Sequence, residues 1–180
     1  MEYKKLLSEN EIDTIVDSLA FYLSRDYLDE TNQYLFVNVL DGGTPFFNLL
    51  YDKLDNTRFK LIPDSVKCKS YTGVNTTGWK LIQPIHNTDE TIKKVIIVDD
   101  ILDSGLTLYN LTDYFMELGF NEIICVTLLE KDVLNKTYHP VPKYISGHYI
   151  DDIWVCGFGM DSIDGTRRDA REIYQILMLI

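Results

Sequence analysis

The residues of this chain best suited to chemistry lie in one run, Lys94-Val95-Ile96-Ile97-Val98-Asp99-Asp100-Ile101-Leu102-Asp103-Ser104-Gly105-Leu106-Thr107. A β-branched apolar stretch reads as a buried strand, and it ends in two adjacent acids. A third acid and Ser-Gly-x-Thr then open directly into an apolar pattern at helical spacing, Leu108, Leu111, Phe115 and Leu118, closed by Gly119. Such a turn presents backbone N–H groups and two hydroxyls at a helix N-terminus, which is where a monophosphate is held without a basic side chain. The neighbouring carboxylates suit ribose hydroxyls and the shell of a divalent cation. An isolated glycine-containing turn between strand and helix would be weak evidence, but the whole run in order is specific.

The elements that must position this run are legible on either side of it. Ser8 followed by Glu11 has the spacing of a capping box, and Ile12, Ile15, Val16, Leu19 and Leu23 predict an amphipathic first helix. Tyr34 to Leu40 predicts a strand that stops at Asp41-Gly42-Gly43, with a helix beginning at Thr44-Pro45. Ile123 to Leu129 is a further continuous apolar run. Strands alternating with helices predict an α/β fold, a mainly parallel doubly wound sheet with ligands at the carboxyl ends of its strands. Between Lys69 and Lys80 the polar, Gly- and Thr-rich segment predicts a mobile surface loop flanked by pairing stretches. After Pro142, short strand-like pieces at Tyr144–Ile145 and Trp154–Gly157 precede a final charged helix or turn. With 180 residues the expectation is one domain, its core about residues 31–145 and a small hood from about 1–30 and 146–180.

Composition bounds the partners. Seventeen basic against 28 acidic residues give a formal charge of -11, which offers no general attraction to nucleic acid or anionic lipid and makes a divalent cation the simplest means of bringing anionic substrates in. Cys68, Cys125 and Cys156 are odd in number and contain no CxxC pair, so free thiols in a reducing cytoplasm are expected. No stretch reads as a signal peptide or a membrane span. His86, His139 and His148 lack metal-ligand spacing, and Gly157-Phe158-Gly159 lacks the third glycine and helix of a dinucleotide fingerprint.

The Lys94–Thr107 run resembles the fingerprint of the type I phosphoribosyltransferases: hydrophobic strand, two acids, two aliphatics, Asp/Thr, Thr/Ser, Gly, any residue, Thr. The wider chain looks like the hypoxanthine-guanine branch, collinear from about Leu35 to Arg167. Leu40-Asp41-Gly42-Gly43 is similar to its pyrophosphate loop, and Lys69-Ser70-Tyr71 with Thr77-Gly78 to its closing loop. Leu128-Leu129-Glu130-Lys131 resembles its lysine-bearing strand, and Trp154-Val155-x-Gly157-Phe158-Gly159-Met160-Asp161 followed by Arg167 its base-stacking and metal-binding tail. Ile153, Leu106, Ser162 and Thr166-Arg167-Arg168 differ from the residues frequent there.

The resemblance implies a role for each matching position. Asp103 would be the general base for purine N7, and Asp99, Asp100, Ser104, Gly105, Leu106 and Thr107 would bind the phosphoribosyl group. Leu40, Asp41 and Gly42, by backbone and in many relatives through a cis peptide, would meet pyrophosphate together with Arg167. Ser70 and Tyr71 would close over the site. Lys131, Trp154 and Val155 would take the base, and Asp161, Asp99 and Asp100 would hold Mg²⁺. Taken alone, Lys131 reads as a surface lysine and Trp154 as a core aromatic. The implied activity is transfer from phosphoribosyl pyrophosphate to hypoxanthine or guanine, with xanthine as a further base, by a homodimer or homotetramer. Two alternatives stand beside it: the same transfer to another base, and a non-catalytic phosphoribosyl-pyrophosphate sensor that regulates transcription. The sensor needs a basic face or an appended DNA-binding helix pair, and the charge of -11 argues against it.

Overall fold

The computed structural model describes residues 2–73, 76–133, 143–162 and 165–177, and within these the side chains of 70–73 and 76–77 are not described. Six strands form the central sheet. They are β2 (Gln33–Leu40), β3 (Lys60–Gly73), β4 (Thr76–Gln83), β5 (Lys94–Leu102), β6 (Glu122–Asp132) and β7 (Tyr144–Asp151). Their spatial order is β4-β3-β2-β5-β6-β7, parallel throughout except for the antiparallel β3–β4 pair.

Helices cover both faces, which is why β5 and β6 are apolar without alternation. On one face α1 (Glu9–Asp26) and α2 (Thr44–Lys53) bury Ile12, Val16, Leu23, Phe46 and Leu50 against Phe36, Ile96, Val98 and Val126. On the other, α3 (Leu106–Glu117) buries Leu108, Leu111 and Phe115 against Leu35, Val37, Val95 and Ile97. A fully buried leucine such as Leu23 is worth about 2–5 kcal/mol against alanine. The predicted capping box of α1 is present: Glu11 Oε2 accepts from Ser8 N at 2.8 Å, and Ser8 Oγ accepts from Glu11 N at 3.4 Å.

A second, three-stranded sheet of order β1-β9-β8 is antiparallel and joins β1 (Glu2–Leu7), β8 (Val155–Cys156) and β9 (Ile173–Leu177). This hood differs from the sequence expectation in two ways. The chain ends its described residues in a strand and not in a charged helix or turn, because Ile173 and Ile176 are buried by pairing with β1. Helix α1, expected in the hood, packs on α2 and β7 instead, and β7 itself runs to Asp151. Gly147 makes the close approach possible, since a Cβ there would lie 2.5 Å from Ile15 Cγ2 and 2.9 Å from Leu19 Cδ1.

The segment expected as a surface loop between Lys69 and Lys80 is largely ladder, paired from Lys69↔Lys80 to Gly73↔Thr76. Its β-branched threonines suit a strand as well as a loop. Ser70 and Tyr71 sit in β3 opposite Trp79 and Gly78, and their side chains lie outside the described residues. Leu118, expected on the buried face of α3, is 47% exposed because the helix ends at Glu117.

Candidate active site

Strand β5 runs beyond its apolar part to Leu102, so Asp99 and Asp100 stand on the strand and not in the turn after it. Successive residues of a strand point to opposite faces. The two acids accordingly line different cavities. Asp100 borders one of about 250 Å³ together with Gly42, Asp103, Lys131, Trp154, Asp161 and Arg168. Asp99 borders a second of about 50 Å³ formed by the turn from Asp103 to Leu108, with Asp103 shared between them. Burial first, and then the neighbouring Asp100 charge, pushes the Asp99 carboxyl well above its usual range. Burial likewise raises Asp100, offset in part by hydrogen bonding with Asp99 and Ile101 N–H and by the positive charge of Arg168. Asp99 is buried and Asp100 half-buried, and a hydrogen-bond donor or a divalent cation beside them would relieve the cost of holding their charge there.

In the smaller cavity Gly105 adopts φ 85°, a left-handed conformation that favours glycine, and turns the chain into α3. No side chain caps the helix at Gly105, and Ser104 Oγ accepts from Leu106 N at a long 3.4 Å. Ser104, Gly105, Leu106 and Thr107 thus surround an anion-sized space at the positive end of the helix, as their order in sequence predicts.

The larger cavity brings together residues from four parts of the chain. Lys131, at the end of β6 and 6% exposed, donates to Asp103 Oδ2 at 2.9 Å and lies 3.7 Å from Asp152 Oδ1. Its ammonium stands 5.3 Å from the centre of the Trp154 ring, and Trp154 is 60% exposed, so the indole is an exposed ring beside the cavity and not a core aromatic. Val155 lines the same space. The Leu40–Asp41 peptide is cis, and Gly42 follows it directly against β5: a Cβ on Gly42 would lie 2.0 Å from Asp100 Oδ2. The hood closes from the other side, where a Cβ on Gly159 would lie 2.1 Å from Gly42 O.

One residue carried from the sequence is elsewhere. The Arg167 guanidinium lies 4.2 Å from the Tyr3 ring centre and 4.6 Å from that of Tyr174, between the strands of the hood. Arg168 faces the cavity instead. It pairs with Asp161 at 2.9 Å and donates from Nε to Gly159 O at 3.0 Å. The two are adjacent and chemically identical, and the backbone bond from Gly159 N to Arg168 O decides which one turns inward. Asp152 and Arg168 are thus site residues beyond the expected set, and neither has a local signal apart from its charge. Among the described residues no group of three His, Cys, Asp or Glu side chains converges to form a ready-made metal site. Asp161 and the Asp99–Asp100 pair are hard oxygen donors, which fit Mg²⁺ when a substrate's phosphate oxygens complete the coordination.

Known proteins share this sequence pattern and fold. The phosphoribosyl transferase domain matches residues 2–163, and the chain belongs to that family. Hypoxanthine-guanine-xanthine phosphoribosyltransferase of Tritrichomonas foetus is 31% identical over 156 residues, 87% of this chain and 82% of that protein. Hypoxanthine-guanine phosphoribosyltransferase of Bacillus subtilis is 32% identical over 166 residues, 91% and 88% of the two chains. The crystal structure of a hypoxanthine phosphoribosyltransferase from Staphylococcus aureus superimposes with a TM-score of 0.83 at 27% identity, covering 97% of this chain and 91% of that one. Within the family this is the hypoxanthine-guanine branch of the type I enzymes, pentosyltransferases of purine salvage.

Proposed function

We propose that this enzyme transfers the 5-phosphoribosyl group of phosphoribosyl pyrophosphate to hypoxanthine or guanine, with xanthine as a third acceptor, and releases pyrophosphate. The observation that carries this reading is the Lys131–Asp103 pair, which sits beside the open Trp154 face and next to the anion-sized turn. The spacing suits a 6-oxopurine: Trp154 stacks on the ring, Lys131 donates to the 6-oxo group, and Asp103 accepts the proton of N7. Lysine to oxo group and aspartate to N7 would replace the bond the two side chains make to each other.

The turn from Ser104 to Thr107 holds the 5'-phosphate through its hydroxyls and N–H groups, and Asp99 and Asp100 hold the ribose hydroxyls. In the reaction the bond from C1 to pyrophosphate breaks and the bond from C1 to the purine nitrogen forms. The sugar takes on positive charge meanwhile, and the N7 proton passes to Asp103. The backbone of Leu40, Asp41 and Gly42 meets the departing pyrophosphate, with Arg168 in the place that the sequence assigned to Arg167. Mg²⁺ would be held by Asp99 and Asp100, with a second ion at Asp161, and would supply charge neutralisation for the leaving group. The β3–β4 hairpin, which includes Ser70 and Tyr71, covers the sugar from water. A cytoplasmic homodimer or homotetramer completes the proposal.

An ultraviolet assay with phosphoribosyl pyrophosphate, Mg²⁺ and each of hypoxanthine, guanine, xanthine, uracil and orotate tests the assignment. Turnover confined to the 6-oxopurines is expected, and turnover with none of these three would overturn it.

A further inference from the structure

The loop that closes strand β2 carries a carboxylate, Asp41, where the proposed donor brings its diphosphate. An acidic side chain there opposes binding of a polyanion unless something compensates it. The parallel register places Lys67 of β3 beside Leu40, and Lys67 Nζ donates to Asp41 Oδ2 at 2.7 Å. The β3–β4 ladder shifts register between Lys67 and Cys68, an irregularity of the kind that re-aims a side chain. The loop is thereby gripped on two sides, by Lys67 from β3 and by the Asp100 carboxylate, against which Gly42 packs, from β5.

The cations that line the larger cavity, Lys131 and Arg168, have carboxylate partners of their own. Lys131 pairs with Asp103 and Arg168 with Asp161, each at 2.9 Å, and of the three cations it is Lys67 that bonds Asp41 directly. Both members of the Lys67–Asp41 pair are part-exposed, at 31% and 47%, and the pair therefore adds little to fold stability. Its value lies in the local field.

We propose that Lys67 is a positioning residue for the diphosphate end of the donor: it acts through Asp41, cancelling that charge and holding the 40–42 backbone in place to receive the leaving group. The proposal rests on the phosphoribosyl-transfer reading above.

The test measures donor affinity by isothermal titration calorimetry with phosphoribosyl pyrophosphate and Mg²⁺, together with steady-state kinetics for both substrates. The proteins are the wild type, Lys67→Met, Lys67→Arg and the double variant Asp41→Asn/Lys67→Met. Lys67→Met is expected to weaken donor binding and raise the donor KM about tenfold, with base KM and kcat within about twofold, because one unpaired carboxylate near a diphosphate acts on the donor alone. Lys67→Arg keeps the charge and stays within about threefold of wild type, and the double variant recovers most of the loss because the charge needing compensation is gone. The proposal is overturned if Lys67→Met matches wild type, if base and donor KM rise together, or if the double variant is no better than Lys67→Met. Wild-type protein that binds no donor would overturn the functional reading itself, an outcome separate from these.

Discussion

Lys131 Nζ lies 2.9 Å from Asp103 Oδ2, although Asp103 sits in the turn after β5 and Lys131 in β6, 28 positions apart. The parallel pairing of β5 with β6, Ile101↔Leu129 and Leu102↔Glu130, brings the carboxyl ends of both strands to the same end of the sheet. A lysine with its side chain 8% exposed needs an anionic partner, and Asp103 supplies it until a ligand does.

Replacing Asp103 by Asn keeps the shape and removes the base. Turnover is expected to fall by about 10²–10⁴, the usual worth of general acid–base catalysis, with the donor KM within about threefold. Steady-state kinetics on the variant check this. Lost donor binding with unimpaired chemistry at saturation would contradict the role given to Asp103.

Gly42→Ala and Gly159→Ala separate site from scaffold. The new Cβ at 42 meets the tip of the Asp100 side chain, which can swing aside, so the protein should stay folded while donor affinity falls at least about tenfold. At Gly159 the Cβ meets the backbone oxygen of Gly42 at φ 96°, and there unfolding should become easier by about 1 kcal/mol or more. Thermal melts and donor titrations on both variants read the difference.

The two neighbouring arginines should behave differently. Arg168→Met removes the cation that lines the cavity, and the donor KM is expected to rise about 10–100-fold, the range of a lost charge-assisted contact. Arg167→Met removes contacts with Tyr3 and Tyr174 worth about 0.5–1 kcal/mol each, so its effect appears in the melting temperature and not in KM. The reverse result would return the site assignment to Arg167.

Asp64 gives a pH signature in fold stability. Burial alone would raise its carboxyl, but the Asn87, Ser65 and His86 amides donating at 2.8, 2.7 and 3.0 Å, with the His86 ring, hold it below the usual carboxylate range. A carboxylate lowered on folding stabilises above its unfolded pKa of about 3.9, and the contribution is lost as pH falls through the folded value. Asp64→Asn should therefore cost about 1–3 kcal/mol at neutral pH, with the gap to wild type closing below about pH 4. Urea midpoints at neutral pH and near pH 3 check this, and an equal gap at both would refute it.

Local sequence carried the parts whose signals are local. A strand buried on both faces must be continuously apolar, a turn at a helix start must offer glycine and hydroxyls, and a capping box needs its two residues three apart. Lys94–Thr107, Tyr34–Thr44 and Ser8–Glu11 were legible for those reasons. Strand β1 was not, because Glu2, Lys4 and Lys5 hide its pattern and its partner β9 lies at the far end of the chain. The hairpin was read as loop because threonine and glycine serve either.

What the sequence by itself determined is the chemical inventory of the site: acids at the end of β5, a glycine-bearing turn into α3, a lysine at the end of β6 and an aromatic before Val155. The tertiary structure alone decided that Arg168 and not Arg167 turns inward, that Lys131 meets Asp103, and that Lys67 answers Asp41. Those choices depend on which strand ends the parallel crossovers bring side by side and on how the hood strands orient the loop between them, neither of which any short stretch of chain encodes.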